Sequence, residues 1–331
     1  MSLKVSVIIP HRIGEKIENT LAGIYMSDYD KNKIEIFQAE GTHPTVQRNE
    51  CIKQASGDIV YFIDNDSMVN PNNIKKAVEI FEKNENVAIV GGPAIHKANS
   101  SKERYIDICM QSYYAVGPIA NRYSINKSSY REGTDRDVIL CNLFIRLNVL
   151  FEAGLFNESL YPNEENALID KILSLGYKLM YDPQIIVKRP PRKNLRLYIK
   201  MLLNYGRGRL EQLYRDFNKK NLIFTLPAFF SLYIIFLPIV FIIFKISKIN
   251  YIAFYFIPLI IYLIITLLAG IITALKERGF FNKIKGFFVY PYMFFLTHFF
   301  YGLGFFYGII RIAKGFQRTV KFNITKYKSF E

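Results

Sequence analysis

The sequence has no tryptophan, three cysteines and four histidines among its 331 residues. The cysteines (Cys51, Cys109 and Cys141) are an odd, widely spaced set without a CxxC pair, which argues against a disulfide framework and a cysteine-based zinc site. The histidines form no HExxH pattern, so a metalloprotease is not indicated. The opening stretch, MSLKVSVIIPHR, has too short an apolar run for a signal peptide, and we expect the first half of the chain to be cytoplasmic.

Acidic residues are scarce in the second half of the chain. Residues 188–331 contain 23 basic and only 4 acidic residues, whereas residues 1–187 contain 20 basic and 24 acidic ones. This asymmetry indicates an anionic partner for the second half, either nucleic acid or a membrane surface. Hydrophobic residues make up 50% of the sequence, which excludes a disordered protein.

Three uncharged apolar runs cover most of residues 222–310, at 222–244, 249–275 and 286–310. Each is longer than the roughly 20 residues that a helix needs to cross a bilayer core. Buried helices of a large soluble domain are the alternative, but these runs leave almost no polar face for water. The runs therefore predict membrane attachment.

Basic residues flank these runs unevenly. The first linker carries two lysines, the second carries four basic residues, and six follow Ile310. Basic segments tend to stay in the cytoplasm. Two crossings return the second linker to the cytoplasm, as its charge favours, whereas a third crossing would place the basic tail outside. The third run is also rich in aromatics and glycine and contains Pro291 and His298. We predict three membrane-embedded segments and leave open whether the third spans or is re-entrant.

The first 187 residues alternate apolar strand patterns with helical ones. Strands are expected at 4–10, 33–40, 57–64 and 87–94. This order predicts an α/β fold with a mostly parallel sheet between helices. Ligands of such sheets bind beyond the carboxyl ends of the strands, and Asp64 and Asp66 lie at the carboxyl end of the third strand.

The pair Asp64-x-Asp66 suits a hard divalent cation, Mg²⁺ or Mn²⁺. Such ions are held by few carboxylates and keep positions open for phosphate oxygens. A lone Asp-x-Asp pattern is more often an Asp-rich turn, but its place at the end of a strand favours the ligand site.

Two longer stretches resemble glycosyltransferase family 2, whose catalytic domain has the GT-A nucleotide-sugar fold. The first comprises VSVIIP and GTHPTVQRNECIKQASGDIVYFIDNDSMVNPNNI, where the family's ARN element reads Gln47-Arg48-Asn49 and Gly57-Asp58 precedes the strand that ends in the Asp-x-Asp pair. The second covers residues 141–183, where Asn157-Glu158 stands at the family's turn and Gly176, Tyr177, Tyr181 and Pro183 follow in order. The resemblance extends over residues 4–215.

The resemblance also implies which residues act. It places the metal on Asp66 and Asp64, with Asp64 near the nucleotide. It assigns donor contacts to Pro10, Glu15, Glu40 and Arg48, the two glutamates departing from the family's usual residues.

The family's catalytic Glu-Asp pair reads NEEN in this sequence. Counting back from Gly176 places Glu165 at the position of the family's general base and Glu164 beside it. We prefer Glu165, although the sequence does not decide between them. A carboxylate pair in the first turn of a helix is also favoured by the helix dipole alone.

The stretch 188–215 carries nine basic residues and one acid. Its place before a membrane run favours an interfacial amphipathic helix over a nucleic-acid patch, so we expect no nucleic-acid partner. YGRGR (205–209) resembles an element that closes over acceptor and diphosphate in membrane-bound relatives. Arg207 and Arg209 are therefore candidate contacts, with lipid headgroups as their alternative partners.

Together these features predict a multi-pass protein of the inner cell membrane with a cytoplasmic GT-A domain (1–187), a basic interfacial segment (188–220) and a membrane domain (221–331). The resemblance to succinoglycan-type exopolysaccharide enzymes implies inverting, metal-dependent sugar transfer from a UDP- or GDP-linked donor to a lipid-linked glycan. Transfer to polyprenyl phosphate is the alternative. A nucleotidyltransferase and an inactive membrane scaffold are less favoured.

Overall fold

The computed structural model describes residues 2–125, 129–246, 252–315 and 321–327. It divides the chain into two compact units. The sheet unit comprises Met1–Ala98, Pro118–Pro191 and Phe316–Glu331, and the helical unit comprises Asn99–Gly117 and Arg192–Gly315. Residues 99–117 thus belong to the helical unit, and the C-terminal tail belongs to the sheet unit, neither of which was expected. The predicted domain bounds at 187 and 220 stay predictions.

The described residues form strands, α-helices and short 3-10 segments. The strands are β1 (Val5–His11), β2 (Ile34–Gly41), β3 (Ile59–Phe62), β4 (Met68–Val69), β5 (Val87–Gly91), β6 (Ala94–His96), β7 (Arg131–Glu132), β8 (Leu143–Arg146), β9 (Lys178–Tyr181), β10 (Val187–Arg189) and β11 (Phe322–Tyr327). The α-helices are α1 (Glu18–Tyr25), α2 (Pro44–Gln54), α3 (Asn73–Lys83), α4 (Ser101–Met110), α5 (Tyr113–Val116), α6 (Leu147–Glu152), α7 (Glu164–Ser174), α8 (Leu195–Arg215), α9 (Leu226–Ile246), α10 (Ile252–Leu275) and α11 (Phe280–Ala313). The 3-10 segments are Lys31–Lys33, Gly117–Tyr123, Leu140–Asn142 and Lys219–Thr225.

The main sheet has eight strands in the order β11-β2-β1-β3-β8-β5-β9-β7. Its first part is parallel, as the strand–helix alternation predicts, because β1 pairs in parallel with both β2 and β3. The sheet as a whole is mixed, since β8 inserts antiparallel between β3 and β5. Every residue of β1 and β3 is buried, so both faces of the sheet are covered at its centre.

Gly57-Asp58 brings the start of β3 alongside β1. A Cβ at Gly57 would lie 2.6 Å from the Ser6 hydroxyl oxygen and 2.9 Å from the Lys4 carbonyl oxygen, so only glycine fits without displacing β1. The Lys4 N–H donates to the Asp58 carboxylate at 2.7 Å. These contacts set the start of the strand that ends in the Asp-x-Asp pair.

Among its described residues, the helical unit contains three helices long and apolar enough to cross a membrane, at Lys219–Ile246, Phe254–Leu275 and Phe280–Ala313. They contain the predicted runs 222–244 and 286–310 and most of 249–275, of which residues 249–251 lie outside the described part of the chain. The three long apolar segments are therefore confirmed as helices.

Glycines let α11 pack closely against α8 and α9. A Cβ at Gly206 in α8 would overlap the Tyr301 carbonyl oxygen, and one at Gly302 in α11 would overlap the Pro227 carbonyl oxygen. Small residues at such positions allow helix backbones to approach in apolar surroundings. The unusual composition of the third run follows from this role, because α11 packs against α8, α9 and α10.

The C-terminal strand β11 extends the main sheet at its β2 edge. It pairs antiparallel with β2 over six residues, from Phe322 opposite Gly41 to Tyr327 opposite Ile36. Gly41 makes room for this strand, because a Cβ there would lie 2.6 Å from the Lys321 carbonyl oxygen. The tail is therefore part of the sheet unit.

An ion pair fastens β11 to β2. Lys326 Nζ lies 2.9 Å from Glu35 Oε2. Burial acts to raise the pKa of Glu35, but hydrogen bonds from Ser6, Lys326 and Ser56 outweigh burial and lower this pKa to about 2. Glu35 is therefore ionised at neutral pH. Its contribution to stability is complete above its ordinary pKa of 4.5 and is lost as the pH falls through about 2.

We expect Lys326→Glu to loosen β11, because it places a second carboxylate beside Glu35. Lys326 is partly exposed, so the cost is modest, about 1 kcal/mol or about fivefold in the opening equilibrium. Hydrogen exchange should rise in residues 322–327 and 34–41. Lys321→Glu, at an exposed side chain just before the strand, is the matched control, and equal exchange in both variants would contradict the role of the ion pair.

Candidate functional site

The Asp64-Asn65-Asp66 turn begins two residues after β3, beyond the carboxyl ends of the parallel strands β2, β1 and β3. The Thr20 hydroxyl of α1 lies 2.8 Å from the carbonyl oxygens of Asn65 and Ser67, to which it donates. Thr20 is completely buried, so this contact is shielded from water. The turn is thus held at the sheet edge where ligands of this class of fold bind.

Glu15 and Glu40, the two predicted donor contacts that depart from the family's usual residues, both contact the loop after β1. Glu15 accepts hydrogen bonds from the Arg12 N–H at 3.2 Å and from the Asn65 side-chain amide at 3.4 Å. Glu40 accepts one from the Gly14 N–H at 2.9 Å. Both glutamates therefore lie at the carboxyl edge and shape the loop next to the Asp-x-Asp turn.

Pro10 lies in β1 at the same edge, buried and opposite Ala39 of β2. The structure thus brings Pro10 to the edge where the Asp-x-Asp turn lies.

Helix α2 carries the Gln-Arg-Asn element and joins distant parts of the site. Arg48 is buried, donates to Glu164 Oε1 at 2.9 Å and lies 3.6 Å from Asp64 Oδ1. The neighbouring Asn49 donates to the Phe156 carbonyl at 2.9 Å and accepts from the Phe156 N–H at 3.1 Å. The element therefore ties the Asp-x-Asp turn to the segment that precedes α7.

Glu164 opens helix α7 and is 2% exposed. Burial raises its pKa, the charge of Glu165 raises it further, and Arg48 partly offsets both. Its second oxygen, Oε2, is buried and has no hydrogen-bond partner among the described residues. Glu164 is thus a buried carboxyl group that Arg48 links to Asp64, and its pKa lies above the ordinary value.

Glu165 has a different partner. Its Oε1 lies 3.6 Å from Arg122 Nη1. Arg122 is itself buried and donates to the Asn166 side chain at 2.6 Å. The structure therefore links Glu164, rather than Glu165, to the Asp-x-Asp turn, while the assignment of the base stays a prediction.

Arg189 belongs to the site although the sequence did not indicate it. Its Nη1 lies 3.2 Å from Asp64 Oδ2 and its Nη2 lies 3.2 Å from Asp66 Oδ2, so one guanidinium bridges both carboxylates. In the sequence, Arg189 is part of the basic stretch that composition assigns to a membrane surface. The only local sign was the short apolar stretch 185–187, which leads into β10.

Cys141 lies beside this guanidinium, with Sγ 3.4 Å from Arg189 Nη1. Burial raises the pKa of its thiol to about 12. Because the thiolate is the nucleophilic form, Cys141 is inert at neutral pH.

The carboxylate pair fits a divalent cation that is completed by other ligands. Asp66 Oδ1 is buried and has no hydrogen-bond partner among the described residues, so a hard oxygen donor is available. Among the described residues, no group of three or more His, Cys, Asp or Glu side chains is placed to hold a metal by itself. Mg²⁺ commonly binds one or two carboxylates together with substrate phosphates and water, which matches this arrangement.

Arg207 and Arg209 lie in α8 of the helical unit, and both are buried. Arg209 donates to the Gln212 side chain at 2.9 Å, and its guanidinium lies 4.2 Å from the centre of the Phe224 ring. Arg207 Nε lies 3.5 Å from Glu211 Oε1. Both arginines thus have protein partners within their unit, and their proposed contacts with acceptor or diphosphate stay predictions.

Comparison with known proteins identifies the family of one domain. Residues 18–150 match the family model described as glycosyl transferase family 2. This match contains α1, α2, the Asp-x-Asp turn and β8. No curated protein sequence is significantly similar to the chain.

Two solved structures show distant likeness. The mannosyltransferase PcManGT from Pyrobaculum calidifontis, in complex with GDP-Man and Mn²⁺, is 16% identical over 65% of this chain and 64% of its own, with a TM-score of 0.49. S. aureus TarS 1-349 is 14% identical over 88% of this chain and 90% of its own, with a TM-score of 0.46.

At these identities and scores, the likenesses carry no inference about the donor or acceptor of this chain. The family model and the quoted motifs agree, since both include the Gln-Arg-Asn element and the Asp-x-Asp turn. Residues 18–150 therefore form a glycosyltransferase family 2 domain, the kind of domain that nucleotide-sugar-dependent glycosyltransferases carry.

Proposed function

We propose that the protein transfers a sugar, with inversion, from a UDP- or GDP-linked donor to a lipid-linked glycan at a membrane, in the synthesis of a surface polysaccharide. One observation carries the proposal. Within the family 2 domain, Asp64 and Asp66 stand at the carboxyl edge of the sheet, and a buried arginine links Asp64 to Glu164 in the neighbouring helix.

The donor would lie with its diphosphate at the Asp-x-Asp turn and its nucleoside toward the ends of β1 and β2. Pro10, Glu15 and Glu40 line or shape this edge, and Arg48 neutralises charge beneath it. Mg²⁺ or Mn²⁺ held by Asp66 and Asp64 would offset the negative charge that develops on the leaving diphosphate.

Glu165 is proposed as the general base that takes the proton from the acceptor hydroxyl as it attacks the anomeric carbon. Attack opposite the leaving group inverts the configuration. Glu164, paired with Arg48, would support the donor side of the site. A covalent enzyme intermediate is not needed, and the neutral thiol of Cys141 is unsuited to form one.

A lipid-linked acceptor is favoured by the three long apolar helices of the same chain. They would hold the protein at the surface where such an acceptor is presented. Transfer to polyprenyl phosphate would use the same site, and the size of the lipid product distinguishes the two acceptors.

Replacing Asp66 by Asn should lower metal-dependent turnover by about 100-fold or more, because the amide carries no charge to hold the cation. Membranes containing the full chain are incubated with labelled UDP- and GDP-sugars and Mn²⁺, and lipid-linked product is extracted. Asp30→Asn, just before the amino end of β2, is the matched control. Undiminished turnover in Asp66→Asn would remove the metal role.

Glu165→Gln should retain donor binding and lower the transfer rate by about 100-fold or more, because the amide cannot accept the acceptor's proton. The measurements are nucleotide binding at equilibrium and single-turnover transfer. Glu164→Gln is the neighbouring isosteric control. If Glu164→Gln alone abolishes transfer, the base is Glu164 and the assignment made here is wrong.

We further propose that the sheet unit and the C-terminal tail lie on the same, cytoplasmic, side of the inner membrane. Pairing of β11 with β2 supports this, since both strands belong to one sheet. The chain between them must then cross the membrane an even number of times. We assign the two crossings to α9 and α10 and propose that α11 does not cross. In α11, 44% of the most apolar stretch is buried within the protein, whereas the corresponding shares are 6% for the helix that contains α9 and 17% for α10.

Membrane-impermeant maleimide tests this arrangement, because the native cysteines are all buried. We expect Lys321→Cys, before β11, and Lys75→Cys, in α3, to react from the same face of oriented vesicles. Ser247→Cys, in the linker outside the described residues, should react from the other face. Reaction of Lys321→Cys and Lys75→Cys from opposite faces would mean that α11 crosses.

A further inference from the structure

Strand pairing positions Arg189 beside the Asp-x-Asp turn. β10 runs antiparallel to β4, with Val187 opposite Val69 and Lys188 opposite Met68. Since β4 starts two residues after Asp66, the next residue of β10 arrives next to the turn. The Lys97 N–H donates to the Arg189 carbonyl at 3.0 Å, which holds the backbone there.

The guanidinium of Arg189 occupies one oxygen of each carboxylate, Asp64 Oδ2 and Asp66 Oδ2. Its side chain is 16% exposed, so water screens the interaction only in part. Arginine stays protonated at physiological pH and has no lone pair to offer a metal. It therefore acts as a fixed positive charge at the place where the cation is expected.

The charge balance at the turn has a direct consequence. Asp64 and Asp66 supply two negative charges, and Arg189 cancels one of them at close range. Arg48 also lies 3.6 Å from Asp64, and its positive charge is offset only in part by Glu164, whose pKa is raised by burial. A divalent cation alone then meets at most a single net negative charge. A diphosphate brings further negative charge and oxygen ligands, which restores the attraction.

We propose that Arg189 couples the binding of metal to the binding of donor: it keeps the carboxylate pair weak toward a bare divalent cation, so that metal and nucleotide diphosphate enter the site together. This inference rests on the proposed metal-dependent donor site. By linkage, nucleotide strengthens metal binding by the same factor by which metal strengthens nucleotide binding. Arg189 sets the size of that factor.

The test measures Mn²⁺ affinity by electron paramagnetic resonance on the full chain in detergent, with and without UDP or GDP. Arg189→Met should tighten Mn²⁺ binding without nucleotide by about tenfold or more, because the competing charge is gone. The increase in Mn²⁺ affinity that nucleotide causes should become correspondingly smaller. Lys188→Met removes a charge from the neighbouring exposed residue of β10 and is the matched control, expected to change neither value.

Arg189→Lys keeps the charge but replaces the planar fork by a single ammonium, which cannot bridge both carboxylates in the same way. We expect its Mn²⁺ affinity to lie between those of the native protein and Arg189→Met. This variant also separates loss of charge from loss of local packing.

The two proposals fail differently. If Arg189→Met and the native protein bind Mn²⁺ equally well without nucleotide, this inference is wrong while the donor site stands. If neither protein binds Mn²⁺, with or without nucleotide, the metal role in the proposed function is wrong as well, and the inference falls with it.

Discussion

The buried guanidinium of Arg48 is the interaction on which the site depends. It holds Glu164, from the first turn of α7, at 2.9 Å and lies 3.6 Å from Asp64, after β3. A buried carboxylate without such a partner would carry a large desolvation cost. The apolar face of α7 packs in the core, and Arg48 holds the carboxylate at the start of this helix beside the sheet edge.

Around that pair, the edge of the sheet alternates acids with arginines. Asp64 and Asp66 face Arg189, and Glu165 faces Arg122. Each of these carboxylates lies within 3.6 Å of a guanidinium, which offsets part of the negative charge at this edge. The proposed joint binding of a cation and a diphosphate rests on this charge balance, and a transferase with a charged leaving group needs both.

The membrane part of the chain is explained by packing as much as by hydropathy. Glycines in α8 and α11 remove the side chains that would keep their backbones apart. The third apolar run is therefore rich in glycine because it packs against other helices. The tail after it returns to the sheet unit, so the basic residues that composition assigned to a membrane surface include Lys326, whose partner is Glu35.

The α/β class, the three apolar helices and the place of Asp64 and Asp66 at a strand end could be predicted from the sequence, because each rests on a local pattern. The bridge from Arg189 to these carboxylates, the pairing of Glu164 with Arg48 and the strand formed by the tail could not. These contacts join residues more than a hundred positions apart, such as Asp64 and Arg189 at a separation of 125. The register of β10 on β4 places Arg189, and that of β11 on β2 places the tail, whereas the Glu164–Arg48 pair depends on how α7 and α2 pack. Strand register and helix packing both depend on the partner element as well as on local sequence.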